Sequence, residues 1–469
     1  MVFSSTVFLF IFLPLVFFLN LILPVKYRNG LLLVFSLFFY AWGEPVFVLV
    51  MLFSICMNYA FAVKLSKHTQ PIRKRWLIAS VIANLLLLFV FKYTNFFVEN
   101  INAFFDLSID VPQIPLPIGI SFFTFQAMSY VIDIYRETAK PEHNLFNTAL
   151  YISFFPQLIA GPIVKYDDIY QQIENRQINP EGVKEGIRRF IVGLGKKLII
   201  ANITGEIADT VFALELHQLN IVLTWVGAIA YCIQIYFDFS GYSDMAIGLG
   251  KMFGFDFKEN FNYPYIATSI NDFWKRWHIS LTVWFREYLY IPLGGNRKGK
   301  NRTYLNIFIV YLCTGFWHGA EWTFLAWGIF HGIFMVLERA KIIHPDHAKA
   351  KFISRIYVLT VVLVGFTLFR AETFTQGMHM IGTLFTGFQF DPGWQTLLMD
   401  LVNPLSVLVL FTSFIAATPI LRNWADGLKN HVSSLKVEGL QDIASVALFL
   451  LCLMVISTET YNPFIYFRF

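Results

Sequence analysis

Residues 303–338 read TYLNIFIVYLCTGFWHGAEWTFLAWGIFHGIFMVLE, and this stretch decides the fold class. Two apolar segments, 303–318 and 322–338, flank a short break, and each approaches the roughly 20 residues that a helix needs to span a bilayer. Similar segments recur along the chain. Because backbone polar groups in lipid must be satisfied within a helix or a closed barrel, these segments predict an all-α, polytopic integral membrane protein.

The composition supports this fold class. Of the 469 residues, 56% are hydrophobic, 18% aromatic and only 14% charged, whereas about a quarter of the residues of a soluble domain are charged. An ordinary soluble enzyme and a disordered protein are therefore excluded. No hydrophilic block is long enough for a separate catalytic domain, so we expect a single membrane domain over residues 1–469.

The apolar segments predict about 11–12 transmembrane helices. They lie near residues 5–24, 30–42, 45–64, 76–98, 116–135, 190–213, 220–240, 303–318, 322–338, 354–370, 404–421 and 442–459. Two other segments are expected to be re-entrant or interfacial. The segment 144–164 contains Pro156, Gly161 and Pro162, which would break a straight helix, and the aromatic segment 265–295 is interrupted by charges.

The distribution of charge predicts the orientation in the membrane. Segments 64–75, 286–302 and 339–355 are strongly basic and are expected on the cytoplasmic side, whereas 99–115 and 370–400 are neutral or acidic and are expected outside. Both termini then lie outside. The net charge of +5 comes from short loops and not from a continuous stripe, so we predict membrane lipid, and no nucleic acid, as a partner.

Asp238 and Asp244 are the first candidate functional residues, in the sequence YFDFSGYSDMAIG at 236–248. An ionisable group inside a membrane is costly and is a functional candidate by default. Here the two carboxylates are expected to close the span that begins near 220, where they cap helix ends or bond to hydroxyl groups. The alternative is a direct chemical role. The pattern favours residues that support the shape of a cavity.

Histidines in the apolar segments are the strongest candidates. His318 and His331 lie in aromatic and aliphatic surroundings, and His278 lies in an aromatic neighbourhood upstream. Three or four converging metal ligands are not evident, so no metal is predicted. No nucleophile elbow is present either, which argues against a serine triad. A single imidazole suffices for general-base catalysis, such as deprotonation of a hydroxyl that attacks a thioester. The nearby Trp317 and Trp322 could orient the base or hold an oxyanion.

A basic run follows the upstream histidine and contains a Gly-Gly turn. Its cations either mark a cytoplasmic loop or form a rim that binds the phosphates of a nucleotide-containing donor. Their identities are Arg286, Arg297, Lys298, Lys300 and Arg302.

Several of these stretches together resemble the membrane-bound O-acyltransferase family, and within it the bacterial branch of alginate O-acetyltransferase membrane subunits. The similarity extends over nearly the whole chain. The matching stretches are PIGISFFTFQAMSYVIDIYR at 117–136, YFDFSGYSDMAIG at 236–248, FWKRWHISLTVWFREYLYIPLGGNRKG at 273–299, FWHGAEWTFLAWGIFHG at 316–332 and NPFIYFRF at 462–469.

The resemblance implies both a fold and an activity. Helices would surround a central tunnel, with His318 in the catalytic position and His278, 40 positions earlier, in the upstream one. No bound cofactor is implied, and acetyl-CoA is the expected co-substrate, entering from the cytoplasm of a bacterium whose plasma or inner membrane holds the protein. The acceptor would be an extracellular or periplasmic polysaccharide such as alginate, reached with an extracytoplasmic acetyltransferase partner.

Other functions stay open at this point. A related branch transfers D-alanine to teichoic acid and shares the histidine motifs. A transporter could use the same histidines as a proton relay, although no inverted repeat is evident in the sequence. A non-catalytic assembly protein would tolerate replacement of His278 and His318.

Overall fold

The computed structural model describes residues 1–345, 351–428 and 432–458, without the side chains of residues 434 and 435. Within these ranges the regular structure is helical and contains no strand, as predicted. The matching stretch at 462–469 and part of the predicted basic loop 339–355 lie outside the described residues.

The chain divides into two compact units. Unit 1 comprises Met1–Phe190 with Asp244–Lys258, and unit 2 comprises Ile191–Ser243 with Glu259–Phe469. Two of the boundaries fall within helices, Pro180–Gly195 and Ile221–Met252. The single membrane domain remains a prediction.

Most helices of unit 1 are apolar, and the irregular segment 106–119 connects the fifth to the sixth. A π-helical turn, Phe8–Phe12, precedes the first helix, and a second one, Phe89–Tyr93, connects the fourth to the fifth without interruption. The helices are α1 (Leu13–Ile22), α2 (Val25–Gly43), α3 (Val48–Lys67), α4 (Ile72–Leu88), α5 (Thr94–Phe105), α6 (Ile120–Arg136), α7 (Leu145–Ser153), α8 (Phe155–Leu158), α9 (Tyr166–Asn175) and most of α10 (Pro180–Gly195).

Unit 2 contains the remaining helices. π-helical turns at Lys196–Ala201 and Arg286–Tyr290 extend α10 and α14, and 3₁₀ turns lie at Leu216–Gln218 and Pro264–Ile266. The helices are α11 (Asn202–Phe212), α12 (Ile221–Met252), α13 (Ile270–Arg276), α14 (Ile279–Phe285), α15 (Lys300–His318), α16 (Trp322–Arg339), α17 (Lys351–Arg370), α18 (Phe374–Thr386), α19 (Trp394–Leu401), α20 (Pro404–Ala416), α21 (Ile420–Leu428) and α22 (Ser434–Thr458).

Long apolar helices confirm the multi-pass membrane fold. Five helices of the described chain are long and apolar enough to cross a membrane, and a sixth span results if α19 and α20, bent by 60°, count as one. Helices α15 and α16 have 19 and 18 residues and begin or end in charged side chains. The count of about 11–12 spans, the sidedness of the loops and the central tunnel remain predictions.

Helix α12 corrects the prediction for the two aspartates. It continues for 32 residues to Met252, so neither Asp238 nor Asp244 caps its end. Instead, Asp238 lies 2.8 Å from the ammonium of Lys197, and Asp244 lies 2.7 Å from the guanidinium of Arg189. Pairing with a cation lowers the free-energy cost of burying a carboxylate. Both aspartates can therefore lie within the helix and need not mark its end.

The broken segment predicted at 144–164 is indeed broken. Helix α7 ends at Ser153, Phe154 has an extended ψ of 114°, and α8 begins with Pro156 in its first turn, where the missing N–H costs nothing. A Cβ at Gly161 would lie only 2.5 Å from the Cα of Gln157, so the chain turns back tightly there. A re-entrant path through the membrane remains a prediction.

Candidate active site

Helices α15 and α16 form a closely packed hairpin with His318 at its tip. A Cβ on Gly328 would lie 2.5 Å from the carbonyl oxygen of Tyr311, and one on Gly315 would clash with the carbonyl of Phe324. Small residues of this kind let the backbones of two helices approach closely. His318 is the last residue of α15, immediately before the chain turns into α16.

Aromatic rings surround the imidazole of His318 edge-on. The ring centroids of Trp317, Trp327 and Phe369 lie 5.0, 5.2 and 5.2 Å from it, with interplanar angles of 78°, 88° and 82°. The side chain is only 7% exposed. Because three rings confine the imidazole, its orientation is fixed before any substrate arrives.

His278 also has a ring contact with Trp317. It precedes α14 in a left-handed backbone conformation, with φ of 42°, and is 2% exposed. Its ring centroid lies 6.3 Å from that of Trp317, 6.1 Å from that of Phe261 and 6.4 Å from that of Phe239. The structure thus brings His278 and His318 into one cluster, with the indole of Trp317 contacting both.

Asn260 fixes the backbone beside His278. Its side-chain oxygen accepts hydrogen bonds from the N–H and hydroxyl of Ser280 at 3.0 and 2.9 Å, and its carbonyl accepts from the N–H of Ile279 at 2.9 Å. Its Nδ2 donates to the hydroxyl of Ser243 on α12 at 3.2 Å. These bonds satisfy the first turn of α14 and hold the left-handed residue in place. Asn260 was not predicted from the sequence, because no local motif marks it.

His331 lies deeper in the same aromatic cluster and is fully buried. Its ring centroid lies 5.2 Å from that of Trp274 and 5.1 Å from that of Trp327. A Cβ on Gly365 of α17 would lie 2.5 Å from Nε2, so the glycine makes room for the imidazole. Neither ring nitrogen has a hydrogen-bond partner among the residues that the structure describes.

Glu338 joins α16 to α13. Its carboxylate accepts hydrogen bonds from the N–H groups of Ile270 and Asn271 at 2.7 and 3.0 Å, at the start of α13. The anion satisfies amides that would otherwise lack partners at a helix N-terminus. Helix α13 carries Trp274, so Glu338 helps to hold that indole against His331.

The structure distinguishes between the tryptophans of α16. Trp322 begins the helix and is 59% exposed, whereas Trp327 is 1% exposed and contacts both His318 and His331. The candidate supporting role that the sequence analysis gave to Trp322 therefore fits Trp327 better. The spacing of Trp327 and His331, four residues apart on one helix, could have indicated it, because such residues share a face.

The aspartates contribute differently. Asp238 lies next to Phe239, whose ring contacts His278, and its ion pair with Lys197 is almost fully buried, with side chains 2% and 5% exposed. Asp244 belongs to unit 1, where its partner is Arg189. Only Asp238 is thus adjacent in the chain to a residue of the histidine cluster.

The cations of the basic run are exposed: Arg286 begins the π-helical turn after α14, and the other four lie just before α15 or in its first turn. Gly294 and Gly295 have φ of 110° and 55°, which confirms the Gly-Gly turn, and the amide of Asn306 donates to the carbonyl of Gly295 at 2.9 Å. At a rise of 1.5 Å per residue, the start of α15 is about 27 Å from His318. The exposed cations are Arg286, Arg297, Lys298, Lys300 and Arg302.

The arrangement is suited to acid-base chemistry. Two imidazoles lie in one aromatic cluster, and among the described side chains no group of three or more histidines, cysteines, aspartates or glutamates could hold a metal ion. A confined imidazole beside an indole N–H can accept a proton from a hydroxyl and stabilise the charge that develops next to it.

Comparison with known proteins gives the family. The family model described as the membrane-bound O-acyltransferase family matches residues 34–371, a range that contains all three histidines of the cluster. The chain is 39% identical to a probable alginate O-acetylase of Pseudomonas putida over 488 aligned positions, covering 100% of both chains. It is 43% identical to a protein of that name from Pseudomonas aeruginosa over 82% of this chain and 75% of the relative.

A third relative has a different acceptor in its name. The peptidoglycan O-acetyltransferase of Helicobacter pylori is 40% identical over 75% of this chain and 72% of its own length. The family match, the full-length relatives and the apolar helices all indicate a membrane protein that transfers acyl groups. The chain belongs to the membrane-bound O-acyltransferase family and is a multi-pass membrane acyltransferase.

Proposed function

We propose that this acyltransferase moves acetyl groups from acetyl-CoA on the cytoplasmic side across the membrane, for O-acetylation of a polysaccharide outside it. The observation that carries the proposal is the cluster of His318, Trp317 and His278, in which one indole contacts both imidazoles. The relatives named as alginate O-acetylases and as a peptidoglycan O-acetyltransferase support acetyl as the group transferred.

His318 acts as the general base. It accepts the proton of the attacking hydroxyl as the oxygen bonds to the thioester carbonyl carbon, and it returns the proton to the departing sulfur. His278, whose ring also contacts Trp317, orients the reacting groups. No resident metal or cofactor takes part in this scheme.

The donor spans the distance between the basic segment and the histidines. Arg297, Lys298 and Lys300 bind the phosphates of coenzyme A at the cytoplasmic end of α15. The thioester then has to reach His318, about 27 Å along the same helix. A long, flexible thioester arm suits this separation, whereas a compact acyl donor does not.

The acceptor, the partner and the location follow from the same scheme. We place the protein in the plasma or inner membrane of a bacterium, with an extracytoplasmic acetyltransferase that completes transfer to the polymer. An alginate-type polysaccharide is the first acceptor. Peptidoglycan is the second, because a relative that matches three quarters of the chain is named for it.

Replacement of His318 tests the proposal. We expect His318→Ala to insert normally but to lower acetyl transfer about 10³-fold, because general-base catalysis contributes factors of this size. The measurement is release of free CoA from acetyl-CoA by protein in liposomes, together with O-acetylation of polymer in cells. His217→Ala is the matched control, because His217 is an exposed histidine on the 3₁₀ turn Leu216–Gln218.

Three outcomes would contradict the proposal. Full activity of His318→Ala would remove the base from the mechanism. Solute flux through the wild-type protein without release of CoA would favour the transporter, and activity with a D-alanyl thioester in place of acetyl-CoA would favour the teichoic acid reaction.

A further inference from the structure

The indole N–H of Trp327 is a buried donor that the fold does not use. The side chain is 1% exposed, and its Nε1 has no acceptor in the part of the chain that the structure describes. Buried tryptophan N–H groups usually have a hydrogen-bond partner, because an unsatisfied donor destabilises the fold. An exception of this kind beside a reactive group calls for a functional explanation.

The ring of Trp327 is in direct contact with the base. Its centroid lies 5.2 Å from that of His318, and the two rings are almost perpendicular at 88°. An acyl group that reaches the imidazole is therefore adjacent to the indole. Of the other two rings that contact His318, Phe369 has no hydrogen-bond donor, and Trp317 is the chain neighbour of the base and also contacts His278.

We propose that Trp327 is a catalytic residue whose indole N–H donates a hydrogen bond to the oxyanion of the tetrahedral intermediate. This proposal rests on the proposed acyl transfer from a thioester. As the acceptor hydroxyl oxygen bonds to the carbonyl carbon, its proton moves to His318 and the carbonyl oxygen becomes negatively charged. When the oxyanion collapses, the C–S bond breaks and His318 returns the proton to the sulfur. The products are an ester and a thiol.

Packing holds the donor in place before the reaction. The centroids of Phe369, His331 and Trp274 lie 5.1, 5.1 and 5.7 Å from that of Trp327, and these three rings contact it at different angles. A donor that is fixed in an apolar site stabilises developing charge without reorganisation, which makes such donors effective. His331 therefore acts as a positioning residue for Trp327.

Trp274 has a similar indole but a different place in the cluster. Its Nε1 also has no acceptor within the described residues. Its ring centroid lies 5.2 Å from that of His331 and 5.5 Å from that of Tyr311. The ring of Trp327, in contrast, contacts His318. Trp327 is thus the better placed donor.

The substitution Trp327→Phe keeps a ring but removes the N–H. We expect kcat for acetyl transfer to fall about 10²-fold, the effect of losing one oxyanion donor. The KM for acetyl-CoA should stay within twofold of wild type, because the donor acts on the transition state, and the pH profile should be unchanged. Trp424→Phe is the matched control, since Trp424 is 62% exposed on α21 and should retain wild-type kcat.

An isosteric replacement guards against misfolding. Benzothienylalanine incorporated at position 327 keeps the bicyclic shape but has sulfur in place of the N–H, so packing is preserved. We expect the same loss of kcat with unchanged thermal stability in detergent. Wild-type kcat in the benzothienyl protein would overturn the oxyanion role. Failure of the wild-type protein itself to release CoA from acetyl-CoA would instead overturn the proposed function.

Discussion

Two groups of buried polar side chains, one in each unit, use their hydrogen-bonding capacity in opposite ways. In unit 1, Asn58 of α3 and Asn84 of α4 donate to each other's side-chain oxygens at 3.0 and 2.8 Å. Each amide also donates to a backbone carbonyl one turn earlier, on Ser54 or Ser80, at 2.9 Å. In unit 2, both nitrogens of His331 and the indole nitrogen of Trp327 lack partners within the described residues.

We infer from this difference that the asparagines serve the stability of the fold, whereas His331 and Trp327 serve the reaction. All of these side chains are essentially inaccessible to solvent, so burying each polar group costs desolvation free energy. The asparagines recover that cost through reciprocal bonds, and the pair joins two helices. The histidine and the indole do not recover it within the described fold. Natural proteins tolerate such a loss of stability where activity depends on it.

The largest expected effect concerns the ion pair of Lys197 and Asp238, which lies in unit 2 but has its partner within the fold, like the asparagines of unit 1. Asp238→Asn leaves a buried ammonium without its counter-charge, so we expect a loss of about 3–5 kcal/mol in the free energy of unfolding. Thermal denaturation in detergent measures it. The double variant Lys197→Met with Asp238→Leu should return near to wild-type stability, because no charge is then buried alone.

That comparison fails if the single and the double variant are equally unstable. The pair would then hold a shape that apolar side chains cannot reproduce. Wild-type stability of Asp238→Asn would show that the pair is hydrated, unlike the asparagines.

Local patterns were sufficient to predict much of the fold. The apolar segments predicted the helices, the break at 319–321 separates α15 from α16, and Gly294 and Gly295 form the expected turn. These features depend on residues close together in the chain. The hydropathy of a segment and the conformational freedom of glycine depend on the local sequence alone.

The candidate site depended on contacts that the chain order does not reveal. The partners of Asp238 and Asp244 come from α10 and its π-helical extension, so the continuation of α12 past both aspartates was not predictable from their own surroundings. Trp322 and Trp327 have similar neighbours in the sequence. The spacing of Trp327 and His331 places the two on one helix face, but the packing of α15 on α16 is what shows that Trp327 is buried against His318 while Trp322 is exposed.

A medium effect is expected for the asparagine pair. Asn58→Leu leaves the amide of Asn84 without its partner, so we expect a loss of about 1–2 kcal/mol in the free energy of unfolding and wild-type acetyl transfer. Asn84→Leu should behave alike. In a double-mutant cycle, the two substitutions together should cost less than the sum of the single effects, because the second removes a group that is already unpaired. Additive losses would show that the two amides do not interact.

The smallest effect, of opposite sign, is expected for His331→Leu. Leucine has a similar volume and contains no polar atom, so two unpartnered nitrogens disappear from a fully buried position. We expect the variant to be as stable as wild type or more stable, by up to about 1 kcal/mol. Acetyl transfer should nevertheless fall several-fold, because Trp327 loses an aromatic neighbour that fixes its ring.

Thermal denaturation and CoA release on the same preparation measure both quantities for His331→Leu, with Asn58→Leu as the matched comparison. One substitution should lower stability and keep activity, and the other should keep stability and lower activity. If His331→Leu instead destabilises the protein, the imidazole has a structural partner like the asparagines, and the contrast between the two units disappears. If it keeps both stability and activity, Trp327 does not need His331, and the positioning role ends at the rings of Trp274 and Phe369.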